Sequence, residues 1–208
     1  MAQRGLVAES LHWVATMLES AQVYQDPDLQ ISGHAAAALS YLWLGAPITC
    51  RDHADQVSSG YSEGRHRHLV DIMNWDPKTL GLGYLAEATW ILGYPEKAVK
   101  IREAGEIHAR KLGHSFNLVV DLTEAARLFD FRGELAESLR RLQEAERLGR
   151  ENSMPFVTEF LVPGHSGNAL IHGGQAAEGR ASLGRGIALW EGGTATARTK
   201  RTAARKPS

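Results

Sequence analysis

Along GELAESLRRLQEAERLGREN, the apolar residues Leu135, Leu139, Leu142, Ala145 and Leu148 fall three or four positions apart. That spacing lays one stripe along a helix of 3.6 residues per turn. The polar faces place Glu137 before Arg141 and Glu146 before Arg150, the favourable order for ion pairs four residues apart. PEKAVKIREAGEIHARKLG has the same character, with Pro95 suited to a first turn and Gly113 to the left-handed residue past a helix end. No sustained apolar–polar alternation bounded by turn residues occurs, so no strands are predicted.

The helix ends recur in register. Corner glycines stand in WLGAP (Gly45), ILGYP (Gly93), DFRGEL (Gly133) and IHGGQA (Gly174), separated by 48, 40 and 41 residues. Seven residues before them sit Ala38, Ala86, Ala126 and Gly167, and five after them Cys50, Ala98, Ser138 and Gly179. Twelve after them sit Val57, Gly105, Ala145 and Gly186, so only Val57 of these twelve residues is not Ala, Gly, Ser or Cys. Small residues in such columns are what two antiparallel helices need where their backbones approach.

The expected fold is therefore all-α: a right-handed helical-hairpin solenoid. One repeat domain is expected over residues 1–193. A first helix falls over about residues 6–25, read as the second half of a repeat. Hairpins follow at about 32–58, 79–112, 116–150 and 156–191. The long first interval comes from SSGYSEGRHRHLVDIMNWDPK, whose Gly, Ser and Pro content predicts an irregular excursion. FLVPGHSGNALIHG places Pro163 inside a predicted helix, where a proline costs about 3 kcal/mol. A kink or break is expected there. An end helix without a mate also predicts an exposed apolar end.

The small-residue offsets match those of the tetratricopeptide repeat, although the period near forty is longer than usual. A further resemblance lies in YSEGRHRHLVDIMNWDPKTLGLGYLAEATWILGYPEKAV, together with KLGHSFNLVVDL, MPFVTEF and GGQAAEGRASLGRGIALWEGG. These segments resemble the tetratricopeptide-like C-terminal region of large bacterial signalling proteins. Such proteins join an adenylate or guanylate cyclase domain, or a kinase domain, to an AAA-type ATPase. The resemblance covers about residues 6–193 and departs from the family at Ser115, at VPGHSGNAL and after Trp190. It implies a non-catalytic interaction and regulatory module, a piece or remnant of such a regulator. Its partner would be a protein or peptide, or the ATPase and cyclase domains of the parent. Self-association through exposed ends is a further expectation. An enzyme-associated role, through the parent's cyclase or ATPase activity, is the alternative.

Charge sharpens this picture little. The chain carries −1 overall, but TATARTKRTAARKPS holds five basic residues and no acid, leaving about −6 on the rest. Residues 194–208 read as a disordered basic tail. The acidic body offers no electrostatic reason to bind nucleic acid. A single cysteine, Cys50, rules out an internal disulfide. No leader-like segment and no run of eighteen apolar residues is present, so a cytoplasmic chain without a membrane role is expected.

The candidate chemistry is sparse. Cys50, His53, His66 and His68 combine a C-x2-H pair with an H-x-H pair, the donor types of a zinc site and of a metal-dependent hydrolase. Cys50 already fills a close-packing position, and Arg65 and Arg67 repel a dication, so no metal is expected. No phosphate loop or G-x-S-x-G elbow occurs, and His165–Ser166 is not a catalytic pair by itself. No catalytic residue and no cofactor are expected. Trp43, Trp90 and Trp190 read as packing anchors. Tyr84, Asn117 and Arg127 fall on the first helices of hairpins, which line the concave face of a tetratricopeptide solenoid, and are the candidate ligand contacts.

Overall fold

The computed structural model describes residues 7–188, all of whose regular structure is helical. The described helices are α1 (Val7–Tyr24), α2 (Pro27–Trp43), α3 (Pro47–Gly60), α4 (Glu63–His66), α5 (Leu69–Met73) and α6 (Pro77–Ile91). They continue with α7 (Pro95–Leu112), α8 (Ser115–Phe131), α9 (Leu135–Glu151), a π-helical stretch (Phe156–Leu161) and α10 (Val162–His172). A last helix, α11, covers residues 176–188. Trp190 and the basic segment 194–208 lie outside the described residues. The chain divides into two compact units that meet in sequence after Asp121, within α8.

Each hairpin corner is closed by the same backbone device. Gly45, Gly93, Gly133 and Gly174 all have positive φ, between 75° and 89°. The N–H of each glycine donates to the carbonyl three residues back, as from Gly93 to Trp90 at 2.9 Å. The following N–H reaches five residues back: Ala46 to Tyr41, Tyr94 to Thr89, Glu134 to Phe129 and Gln175 to Leu170, at 2.8–3.1 Å. This pairing satisfies carbonyls that a helix end otherwise leaves open, and it requires the left-handed conformation that glycine adopts without steric cost.

The twelve column residues are all buried. In the first unit α2 packs on α3, α6 on α7, and α3 and α2 both on α6. Ala38, Cys50, Ala54, Leu82, Leu85 and Ala88 form one core, and Ile31, Ala35, Val57 and Leu69 a second. Val57 is the one large residue in its column, and glycine compensates across the interface. A Cβ added at Gly81 would sit 2.7 Å from Val57 Cγ1. In the second unit the approach of α10 and α11 is closer still. A Cβ on Gly179 would lie 2.6 Å from the carbonyl oxygen of Gly167, and one on Gly167 2.8 Å from that of Gly179.

Local chemistry moves three of the predicted features. Helix α2 starts at Pro27, before residue 32, because Asp26 caps it by accepting from the N–H groups of Asp28 and Leu29 at 3.0 Å. The excursion after α3 is ordered as α4 and α5. Val70 is buried, Lys111 pairs with Glu63 at 2.8 Å, and Arg67 Nη2 donates to the Leu112 carbonyl at 3.0 Å, capping α7. Helicity runs without a break through Pro163, where a kink or break was expected. The π-helical turns before it change the i→i−4 pattern in which a proline ring clashes and an N–H is missed. The Pro163 carbonyl accepts from Ser182 Oγ of α11 at 2.9 Å.

Ala86 and Ala98 are fully enclosed between α6 and α7. Ala98→Leu or Ala86→Leu is expected to destabilise the chain by about 1–3 kcal/mol through overpacking, measured as a drop in the chemical-denaturation midpoint. An unchanged midpoint for both would refute the column register.

Candidate functional site

The N-terminus of α6 gathers the densest set of buried polar groups in the first unit. Asp76 is completely enclosed. Its Oδ2 accepts from the Thr79 N–H at 2.8 Å and from the Thr79 hydroxyl at 3.0 Å, and contacts His108 Nε2 at 2.9 Å. The sequence WDPKT writes the first part of this locally, as a capping aspartate, a proline in the first turn and a threonine three residues on. The second part comes from afar. Asn117 Oδ1 accepts from the Asp76 N–H and its Nδ2 donates to Thr79 Oγ1, both at 3.0 Å. Burial opposes ionisation of Asp76, but the hydrogen bonds with His108 and Thr79 outweigh it and hold its carboxyl below the usual carboxylate range. Burial, reinforced by the facing Asp76, pushes the Tyr61 phenol up.

Beside this hub, Arg102 and Asp121 form an ion pair with both side chains almost wholly enclosed. The guanidinium occupies space left by two glycines: a Cβ at Gly83 would lie 2.8 Å from Nη1, and one at Gly105 3.1 Å from Nη2.

A third group lies between α2 and α3. His34 Nδ1 and His53 Nδ1 stand at hydrogen-bond distance, 2.9 Å, and Tyr41 stacks on His53 with ring centroids 5.4 Å apart. Burial, then the neighbouring His53, holds His34 below the usual imidazole range; burial also lowers His53, against an opposing pull from Asp52.

In the second unit His172 Nδ1 pairs with Asp130 at 2.9 Å, and Arg127 with Glu124. Burial lowers His165, whose neighbours include Glu124, Arg127 and Asp130.

The predicted contacts have different fates. Tyr84 is half-buried on α6 against the first core cluster. Asn117 is buried, with its amide engaged at the Asp76 hub. Arg127 is half-buried next to Glu124 on α8. The four candidate metal donors are dispersed. Cys50 is enclosed, its Sγ directed at the Tyr84 carbonyl at 3.7 Å, and burial with nearby Glu87 pushes its thiol up to about 12. His53 sits on Tyr41, His66 Nδ1 accepts from the Ser62 N–H at 2.9 Å, and His68 Nε2 pairs with Asp28 at 3.1 Å. Among the described residues no three His, Cys, Asp or Glu side chains are placed to hold a metal ion. No described helix is long and apolar enough to cross a membrane. At the hub, the Thr79 hydroxyl donates to Asp76 and accepts from Asn117, which ties it into the cap of α6.

The His108 and Arg102 partnerships escaped sequence reasoning because nothing local marks them; only the aspartate–proline–threonine cap was readable in advance.

Comparison with known proteins gives a fold. No family model matches the chain, and no curated protein matches it significantly. Two crystal structures of nearly identical TPR-like repeats, from a kinesin light chain-like protein of Podosopora anserina, are similar to it. One aligns over 96% of this chain and 91% of its own with TM-score 0.59, the other over 91% and 89% with TM-score 0.57, each at 16% identity.

Both α2–α3 histidines stay neutral in the folded chain where the unfolded chain would bind protons. Stability is thus fully present above the ordinary value of 6.5 and is lost as pH falls below it, through the lowered folded values. His165 adds to the loss in the same direction. The urea midpoint is therefore expected to fall between about pH 7.5 and about pH 5.5, and to fall less when His34 and His53 are both replaced by glutamine. An equal fall in the two chains would exclude the pair as a cause. The observed architecture, all-α helical hairpins in TPR-like repeats, is the class to which these structures assign the fold.

Proposed function

We propose that this chain is a non-catalytic protein-interaction and regulatory module. The observation that carries the reading is the TPR-like hairpin fold, alike over 96% of the chain to repeats of that kind. Stacked helical hairpins present extended surfaces to partners and derive their stability from neighbouring repeats, with no need of a cofactor. The state of the ionisable groups supports it as well. Asp76 and His108 are tied into a cap, and the candidate zinc donors lie apart in different contacts, which leaves a histidine-based hydrolase without support.

The finer reading is that the module regulates a cyclase–ATPase or kinase–ATPase signalling protein in the cytoplasm, as the YSEGRHRH…LGYPEKAV resemblance suggests. That segment supplies the ordered excursion, α6 and the α6–α7 corner. Its partner would then be the ATPase or cyclase domains of such a protein. Tyr84 and Arg127, both partly exposed, are the contact residues offered. Neither nucleic acid nor a membrane belongs to this reading.

The test is co-expression with AAA-type ATPase and cyclase domains of a signalling protein of that kind. A complex that co-elutes on size exclusion, and that is weakened at least about tenfold in a calorimetric titration by Tyr84→Ala or Arg127→Glu, is expected. No association at tens of micromolar would remove the regulator reading.

A further inference from the structure

Among the described residues of the first unit, exposed apolar side chains concentrate at the corners α2–α3 and α6–α7. Trp43 and Leu44 stand at the end of α2, Ile48 in the first turn of α3, Ile91 at the end of α6, and Tyr94 just past Gly93. Each is between 53% and 61% exposed.

The two corners share one end of the unit. Helix α3 packs along α6, and Leu42 lies on the core that holds Leu85 and Ala88, near the end of α6. From the second corner Tyr94 reaches α3. After Asp52 and Asp55, it is among the groups that raise Arg51, which stands one turn along from Ile48. The corner geometry itself asks for no such residues. In the second unit the seats beside the corner glycines hold Arg132, Glu134 and Gln175, with the same backbone bonds. Of the large apolar groups described at those corners only Phe131 is exposed. Nor does a further repeat cover this face, because repeats stack flank to flank and leave their corners at the rim.

We infer that this corner face is the contact of a twofold homodimer, the face of one copy laid on the same face of another. Its size fits. Five large side chains, each more than half open, present on the order of 500 Å². That is what the apolar part of a homodimer interface of about 800 Å² per partner requires. Charge selects the occupant. Within about two turns of the corners stand Arg51, Lys97 and Lys100 against Asp52, Glu87 and Glu96, so the face is neutral. The chain outside residues 194–208 carries about −6. Two such bodies repel, and a neutral face is where that opposition is least.

The signs are also placed for a twofold contact. Seven residues after their corner glycines, α3 carries Asp52 and α7 carries Lys100, both exposed. Arg51 holds Asp52 at 2.8 Å but leaves most of its side chain open. A twofold axis between the helices lays α3 of one copy over α7 of the other and sets these opposite charges together. An anionic lipid surface finds no net positive charge here. The contact goes beyond the interaction-module reading and does not depend on it, since the ATPase or cyclase complex is tested at Tyr84 and Arg127.

The test follows the full chain by sedimentation velocity from about 1 to about 100 micromolar. The wild type is expected to pass from monomer to dimer. Trp43→Glu and Tyr94→Glu are each expected to weaken the dimer at least about tenfold, with the melting temperature unchanged. Should either fail to fold, the charges decide. Asp52→Lys and Lys100→Glu each weaken their own dimer several-fold, and an equal mixture of the two regains it as a heterodimer. A wild type that stays monomeric at about 100 micromolar overturns the inference. So does a dimer that survives Trp43→Glu and Tyr94→Glu together, or a mixture that associates no better than its parts. A monomer that binds phosphatidylcholine vesicles, and loses them in Trp43→Glu, overturns it by making a bilayer the occupant.

Discussion

Everything in this chain depends on how closely the backbones of antiparallel helices approach. Where Gly167 faces Gly179, each carbonyl lies where the other residue's Cβ would stand, so the two helices meet backbone to backbone. Elsewhere the columns hold alanine, serine, cysteine or a further glycine, and once valine against Gly81. Close approach multiplies the dispersion contacts that hold a hairpin together, and a single added methylene is felt because interiors are packed near crystal density. The glycine corners serve the same end. A left-handed residue with its paired backbone bonds returns the chain over a few residues, so the second helix starts beside the first.

That constraint explains why large polar side chains occupy the interior. A helix pair held at alanine distance leaves little room for large apolar groups between its columns, and what flanks them must fill irregular spaces. Arg102 fills one, made by Gly83 and Gly105, with Asp121 compensating its charge. Asp76 fills another at the start of α6, where the helix needs an acceptor for its first N–H groups in any case. Once buried, a carboxylate must find further partners, because an unpaired one costs several kcal/mol. His108 and Thr79 are those partners, and Asn117 holds the Asp76 backbone N–H and the Thr79 hydroxyl beside them. The ordered excursion between α3 and α6 follows the same logic, since Arg67 and Lys111 fasten it to the end of α7.

What could be read in advance was what the chain writes locally. Glycine corners, prolines in first turns and columns of small residues each have a fixed offset, so helices and their pairing were legible. The carriage of the helix through Pro163 was not, because the π-helical stretch before it has no residue pattern of its own. Nor was the Asp76–His108 contact, between residues 32 positions apart with no periodicity linking them. The candidate contacts were inferred from helix order alone, which says which helix a residue is on but not which way it faces. Asn117 shows the difference: it lies on a first helix, as supposed, and is spent inside on the cap of another.

One position in the repeat shows how variation and constancy are divided. Eight residues after the corner glycine, between two column positions, stand His53, Ile101, Arg141 and Ser182, and the end register, counted back from Gln25, Gly113 and Ser153, places Trp13 in the same seat. His53 meets a tyrosine and a second histidine, Ile101 an aliphatic core, and Arg141 an aromatic face together with Glu137. The columns on either side hold the backbones at one distance, so this residue does not set the spacing of the helices and is free to change chemistry. A polar pair, an aliphatic contact and a cation on an aromatic ring all fit one geometry. Difference between the hairpins is therefore concentrated in the residue beside the columns, and at α1 that residue is a tryptophan facing outward.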